Sequence, residues 1–368
     1  MAKNIIGYIC GSNSWGGLEM NQFKNAKWMA KRGHEVCVFG LIDSQLHVAC
    51  KDAGVPFEPI KIHKKYYDIR KALSLRQLIR KRKVTHLFVR DPKDMSIAAL
   101  TKTMLFGNLV LVYFMEMQLG INKSDWLHTL RFKQFDYWSC PLPYLKEQVA
   151  KFSNYPDSRT VVIPSAMEVE SFYHLPSKSE ARAALDVPSD MKLLGLIGRF
   201  DPQKGQLLLL QALKVLKPNH PKLGVVLLGE QTNNEADEYY QEILDYISHN
   251  TLEDAVFIRP FRKDVRPFYA AIDAFIMASK SETFGMVTIE AMACGLPIIG
   301  SRSGGTTEIL KYGEFGRLFD TMNLKSLQNA IIDLIDHPPT KPEKLLAEAQ
   351  HYDYTIVCKQ IESLLDLN

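Results

Sequence analysis

Glu282 and Glu290 stand eight residues apart, with Thr283-Phe284-Gly285-Met286-Val287 between them. That arrangement can grip a ligand that carries hydroxyls at both ends and an anion in the middle. A strand signal ends near Ala278 and a helix signal begins near Gly285, with Gly295 and Pro297 stopping the helix. Glu282 then precedes the helix and Glu290 lies inside it. The rise from Gly285 to Glu290 is roughly 8 Å, the reach from a diphosphate to its ribose. The first N–H groups of a helix have no intrahelical acceptor, so those of Gly285, Met286 and Val287 are available to phosphate oxygens. Two glutamates at this spacing are common on protein surfaces, and the pair carries weight only through its setting.

That setting is an alternation of short apolar runs with amphipathic segments, the pattern of parallel sheets covered by helices. Residues 4–10 read as a buried first strand and 18–32 as the following helix, which Gly33 ends. Further strands are expected at 35–41, 86–89, 109–114, 137–140 and 160–163. After a polar stretch containing Pro176 and Pro188 the scheme restarts, with strands expected at 193–197, 224–228, 256–258, 274–277 and 298–300. Two such series in 368 residues predict two doubly wound α/β domains, 1–170 and 171–349. Each series opens with a strand and a glycine-bearing loop, Gly11, Gly16 and Gly17 in the first, Gly198 and Gly205 in the second. In open α/β sheets ligands bind at the carboxyl ends of strands. Neither loop fits G-x-G-x-x-G or G-x-x-x-x-G-K-[ST], which disfavours a dinucleotide cofactor and a P-loop.

Composition adds bounds. An apolar fraction of 46% and a charged fraction of 23% suit a globular protein. No apolar stretch approaches the roughly 20 residues of a spanning helix, and 1–10 lacks the regions of a secretory signal. Six scattered cysteines without a C-x-x-C pair argue against a zinc site or disulfide framework and for a reduced compartment. The net charge of +4 conceals an asymmetry: residues 1–184 carry +11 and the remainder −7. The basic excess is densest at 61–83, where ten basic residues accompany one acid, Asp68. Within it Ala72, Leu75 and Ile79 recur at helical spacing, with Arg76, Arg80 and Lys83 toward another side. A solvated helix face and attraction to an anionic membrane or phosphate-bearing acceptor are both open. Nucleic acid lacks any supporting motif.

Glu282-Thr-Phe-Gly-Met-Val-Thr-Ile-Glu290-Ala-Met-Ala-Cys-Gly-Leu-Pro297, followed by Ser303-Gly-Gly-Thr-Thr-Glu308, resembles the signature of family-four retaining glycosyltransferases, the group 1 family. Gly16-Gly17-Leu-Glu19, Val161-Val-Ile-Pro164, Gly198-Arg199 and Lys204-Gly205 are similar to other segments of that family. The resemblance covers nearly the whole chain. It implies a GT-B fold, two Rossmann-like domains facing across a cleft, with 350–368 packing back on the first. It implies a nucleotide-diphosphate sugar as donor substrate, no further cofactor and no metal, since no Asp-x-Asp motif appears. Gly16 and Gly17 would admit the donor's phosphate and sugar without a Cβ in the way. Arg199 and Lys204 beside Gly198 would neutralise the diphosphate. Glu290 would hold the ribose and Glu282 a hydroxyl of the transferred sugar. Phe284, Gly285, Met286 and Val287 would present backbone to the diphosphate, and Phe261 would lie near the base.

The resemblance thins on the acceptor side. Where relatives place a histidine after a first-domain strand, this chain reads Phe114-Met-Glu116-Met-Gln118, so Glu116 or Gln118 is the expected substitute. Arg90 stands where several relatives carry histidine, either to bind an anionic acceptor or to pair with Asp94. Ser165-Ala166 replaces an Asn-Gly. The candidate catalytic set is thus Glu282, Arg199, Lys204 and Glu116. The expected partners are a nucleotide sugar, a sugar, lipid-linked or envelope acceptor, and an anionic membrane through 61–83, at a cytoplasmic or inner-membrane-face location. A nucleotide-sugar epimerase of the same fold and a non-catalytic nucleotide-sugar-binding protein remain alternatives.

Overall fold

The structure, a computed structural model, describes residues 4–230, 236–337 and 342–367. Met1 and Asn368, the ends of the expected domains, lie outside the described residues. The chain divides into two compact units, Met1–Ala166 with Tyr354–Asn368 and Met167–Asp353.

The first unit holds β1 (Ile5–Cys10), β2 (Glu35–Leu41), β3 (Phe57–Ile60), β4 (His86–Val89), β5 (Val110–Phe114), β6 (Tyr137–Cys140) and β7 (Thr160–Val162). All pairs are parallel, in the order β3-β2-β1-β4-β5-β6-β7. Such a sheet must be covered on both faces. Side chains alternate accordingly: Ile6, Tyr8 and Phe88 enter one apolar cluster, and Ile9, Leu87 and Val89 enter the other. The C-terminal helix Tyr354–Leu365 belongs to the first cluster through Val357, Cys358 and Ile361. It is fixed to the helix Gly17–Lys31 by stacked Trp28 and Tyr354 rings 5.2 Å apart. Arg32 adds a forked pair to Glu362, both bonds 2.6 Å.

The second unit holds β8 (Lys192–Ile197), β9 (Leu223–Gly229), β10 (Val256–Pro260), β11 (Ala274–Met277), β12 (Ile298–Ser301) and β13 (Arg317–Phe319). They too are parallel, in the order β10-β9-β8-β11-β12-β13. In each sheet the order reverses beside the first strand, between β1 and β4 and between β8 and β11.

Two strands, β3 and β13, go beyond those expected, and both are edges. Strand β3 contains Pro59, which an edge tolerates, and Glu58, a buried acid that reads as polar in sequence. Glu58 is satisfied from outside the strand, by Arg82 Nε at 2.6 Å and Lys81 Nζ at 3.1 Å.

Arg182, on the helix Lys178–Ala184, ties the entry side of the β8–β11 pair together. It is buried, and it donates to Ala271 O at 2.9 Å, Ser189 O at 2.6 Å and Asp273 Oδ2 at 2.9 Å. The same Asp273 oxygen accepts from Leu193 N at 2.7 Å, at the start of β8. Truncating this side chain strands several buried acceptors together, a loss of about 3–5 kcal/mol. Arg182→Ala should lower stability by that order in denaturant unfolding, and Arg182→Lys should recover only part of it, because an ammonium lacks the planar fork.

Candidate functional site at the strand-order reversals

In the second unit the loops that leave β8 and β11 are neighbours because those strands pair. Backbone fixes one to the other: Lys280 N donates to Gln203 O at 2.7 Å. Side chains repeat the link, with Lys204 Nζ 3.0 Å from Glu282 Oε2. The loop after β12 closes over Glu282 from behind. Gly305 N donates to Glu282 O at 2.8 Å and Ser303 Oγ to Lys280 O at 2.7 Å. A Cβ on Gly304 would come within 2.3 Å of Glu282 O, so only glycine allows this approach. The charged tip of Glu282 is thereby set by three loops at once.

Gly285 follows at φ 95° and caps the helix Met286–Ala293, whose first turn therefore begins directly after Glu282. Phe284 is buried with its ring edge-on to Tyr352, 5.8 Å between centroids, so the backbone rather than the ring of this residue is what it presents to a ligand. Glu290 lies further along the helix and accepts from Tyr269 Oη at 2.7 Å. Burial and the neighbouring Glu290 push the Tyr269 hydroxyl well above its ordinary pKa, so it stays a donor. Tyr269 escaped the sequence reading because nothing local marks a contact that spans 21 residues.

Gly198 sits just past β8, its N–H bonded to Leu228 O at 3.0 Å. Arg199 is exposed and forms no ion pair among the described residues. Pairing with Asp201 is not what the turn uses: Asp201 caps Pro202–Lys204 by accepting from Gln203 N at 2.8 Å. Phe261, 47% exposed, stands past the end of β10, with its N–H on Gly229 O at 3.1 Å. Gly198, Arg199, Lys204, Glu282, Gly285, Met286, Val287 and Glu290 thus gather at the reversal between β8 and β11, and Phe261 lies two strands over.

In the first unit Gly16 caps the helix Gly17–Lys31, its N–H held by Glu19 Oε2 at 2.9 Å. A Cβ on Gly17 would meet nothing within 4 Å, so the protein's own packing does not require glycine there. Glu116, past β5, pairs with Arg90, past β4, and accepts from Asn21 Nδ2 at 3.2 Å. The expected alternative, Arg90 with Asp94, is not formed. Burial pushes the Glu116 carboxyl upward, against the opposing pull of Arg90 and Asn21. Gln118 turns elsewhere, bonding Tyr144 Oη at 3.4 Å and Gln148 Nε2 at 3.3 Å.

Asp94 has another role. Its Oδ1 meets His63 Nε2 at 2.7 Å and its Oδ2 accepts from Gly11 N at 3.0 Å. The loops after β1, β3 and β4 are pinned at one point by this carboxylate, whose side chain is 1% exposed.

Two parallel sheets that each reverse beside their first strand make two doubly wound α/β units, the architecture of GT-B structures. A structure of Anabaena Alr3699/HepE in complex with UDP shares the fold at TM-score 0.86 with 22% identity, covering 99% of both chains. A glycosyltransferase from Rickettsia africae does so at 0.88 with 17% identity, covering 99% of this chain and 98% of that one. Residues 177–352 match the model of the family of glycosyl transferases group 1. Among curated relatives, a D-inositol 3-phosphate glycosyltransferase of Kineococcus radiotolerans is 31% identical over 40% of this chain and 35% of its own length. The lipopolysaccharide core biosynthesis mannosyltransferase LpsB of Rhizobium meliloti is 27% identical over 50% of this chain and 53% of its own length. The chain therefore matches only about a third to a half of the length of these relatives.

The Asp94 contact predicts a pH dependence. Burial alone would lower the pKa of His63, but hydrogen bonds to Asp94 and to Lys64 O, with the charge of Asp94 and Asp68, leave it raised above 6.5. A raised folded pKa stabilises fully below the unfolded value and is lost as pH rises through the folded value. Unfolding measured from pH 6 upward should show a declining term of this kind, and His63→Gln should remove it.

Proposed function

We propose that this chain is a retaining, metal-independent glycosyltransferase, moving a sugar from a nucleotide diphosphate to an acceptor hydroxyl. The observation that carries the reading is the joining of Lys204 and Glu282, 3.0 Å apart, beside the exposed Arg199 and the start of the helix Met286–Ala293. One set of groups suits a diphosphate: Arg199 offers a fork, Lys204 a point charge, and the helix start free N–H groups. The other set suits hydroxyls, Glu282 toward the transferred sugar and Glu290 toward the ribose.

In this mechanism an acceptor oxygen bonds to C1 as the bond from C1 to the phosphate oxygen breaks, and the departing phosphate oxygen takes the acceptor proton on the same face. The protein positions the reactants and stabilises charge on the leaving diphosphate. Glu116, already engaged by Arg90 and Asn21, acts in this reading as a fixed acceptor near the transferred sugar, with Gly16 and Gly17 leaving room for it. Phe261 lies toward the base. The acceptor is a sugar, lipid-linked or envelope molecule, and the basic segment 61–83 draws the protein to an anionic membrane from the cytoplasmic side. Relatives named for an inositol phosphate acceptor and for lipopolysaccharide core support such acceptors.

Glu290→Ala removes a charged acceptor worth about 1.5–3 kcal/mol, so donor KM should rise about 10- to 100-fold. Arg199→Ala should weaken binding of the free nucleoside diphosphate as well. Tyr269→Phe should raise donor KM about tenfold by loosening Glu290, a hydrogen bond to a charged group being worth about 1.5–3 kcal/mol, part of which is lost to the ligand site. Steady-state kinetics and calorimetry with UDP- and GDP-sugars check all three. Unchanged donor affinity in both Glu290→Ala and Arg199→Ala would overturn the donor site. Epimerised sugar, or binding without release of free nucleotide, would replace transfer by epimerisation or by simple binding.

A further inference from the structure

The expected membrane contact rested on a helix face bearing Arg76, Arg80 and Lys83. The structure moves the most suitable surface elsewhere. The helix Ile69–Lys81 spans about 20 Å, so its two ends cannot share one small contact. Its C-terminal end is engaged with Glu58 through Lys81 and Arg82. Its N-terminal end continues from the loop 61–68, and that loop packs on a second element, the helix Trp126–Phe132. The Tyr66 ring stands edge-on to His128 at 6.4 Å, and the Arg131 guanidinium lies over Tyr66 at 5.3 Å.

Across this junction large apolar side chains face outward. Trp126 is 73% exposed and Leu130, one turn later, 56%. Ile62 at 67% and Tyr67 at 55% continue the surface from the loop. Phe132, on the opposite side of the same short helix, is buried in the core, so the helix is held by one face and presents the other. Single exposed apolar residues are ordinary; here four of them stand on two elements that pack together, with basic side chains close by.

The rim is basic. Lys64 and Lys65 are exposed in the loop, and Lys123 precedes the helix. Burial pushes the Lys123 pKa down, and the nearby charges of Arg131 and Lys65 push it the same way. The nearby acids make local bonds: Asp68 and Asp125 cap the two helices, and Asp125 also meets His128.

We propose that the loop 61–68 and the helix Trp126–Phe132 form one docking surface for an anionic phospholipid bilayer, with Trp126 and Leu130 entering the interface and Lys64, Lys65 and Lys123 meeting the headgroups. Aromatic rings and basic side chains around an apolar face are what an interfacial site requires. This deepens the membrane contact of the proposed function, but its test needs neither donor nor acceptor, so the two stand or fall separately.

The whole chain is mixed with vesicles of phosphatidylcholine, with and without phosphatidylglycerol, in the absence of nucleotide sugar. Sedimentation with the anionic vesicles and a blue shift of tryptophan emission are expected, the shift vanishing in Trp126→Phe. Lys64→Glu with Lys65→Glu should weaken binding at least tenfold, since each basic residue contributes about 1 kcal/mol near such a surface. Leu130→Ser should weaken binding at unchanged charge. Arg80→Glu with Lys83→Glu, at the far end of the basic segment, should have a smaller effect than the Lys64 and Lys65 pair. Unchanged thermal unfolding keeps these variants interpretable. Binding unaffected by Trp126 and Leu130, or abolished equally by a soluble polyanion, would overturn the proposal in favour of a purely ionic glycan site. Dimerisation through the patch without vesicle binding would overturn it in favour of a second copy of the chain.

Discussion

The ion pair between Lys204 and Glu282 depends on a single topological fact, that β8 and β11 are neighbours although 76 residues lie between the end of β8 at Ile197 and the start of β11 at Ala274. Everything at the second unit's site follows from that adjacency. Two loops leave the sheet side by side, one rich in cations and the other running into a helix start. Their backbones bond at Lys280 and Gln203, and a third loop, at Gly304 and Gly305, locks Glu282 from behind. A carboxylate so constrained loses little freedom on meeting a ligand, which is the advantage of a preorganised site.

The first unit repeats the geometry with different chemistry. At its reversal, between β1 and β4, the buried Asp94 gathers Gly11 and His63, and the Arg90–Glu116 pair fills the ends of β4 and β5. The Asp94 carboxylate is satisfied by both contacts, whereas Arg90 keeps a buried Nε with no hydrogen-bond partner among the described residues. In the second unit Arg199 is exposed in the loop after β8.

Much of this was legible in the sequence because it is written locally. The period of the apolar runs marks buried strands, and glycines at 285 and 295 bound a helix whose start and length place Glu282 and Glu290 at its edge and on its body. Edge strands were harder. In β3 a proline and a buried glutamate disguise four residues whose pairing is supplied by β2 and whose charge is supplied by Lys81 and Arg82. In β13 three residues are too few for any period to show.

By itself the sequence determined the layered α/β architecture, the presence of two sheets, and the chemical kinds of group near each strand end, since these depend on residue type and short-range spacing. Tertiary structure alone decided the pairings. Glu290 accepts a hydrogen bond from Tyr269, Arg90 pairs with Glu116 rather than with Asp94, nearer in sequence, and the helix Trp126–Phe132 meets the basic loop 61–68 through His128 and Tyr66. The reason is physical. Which distant side chains meet is fixed by strand order and by the covering of each sheet face, and neither leaves a mark on the local chain.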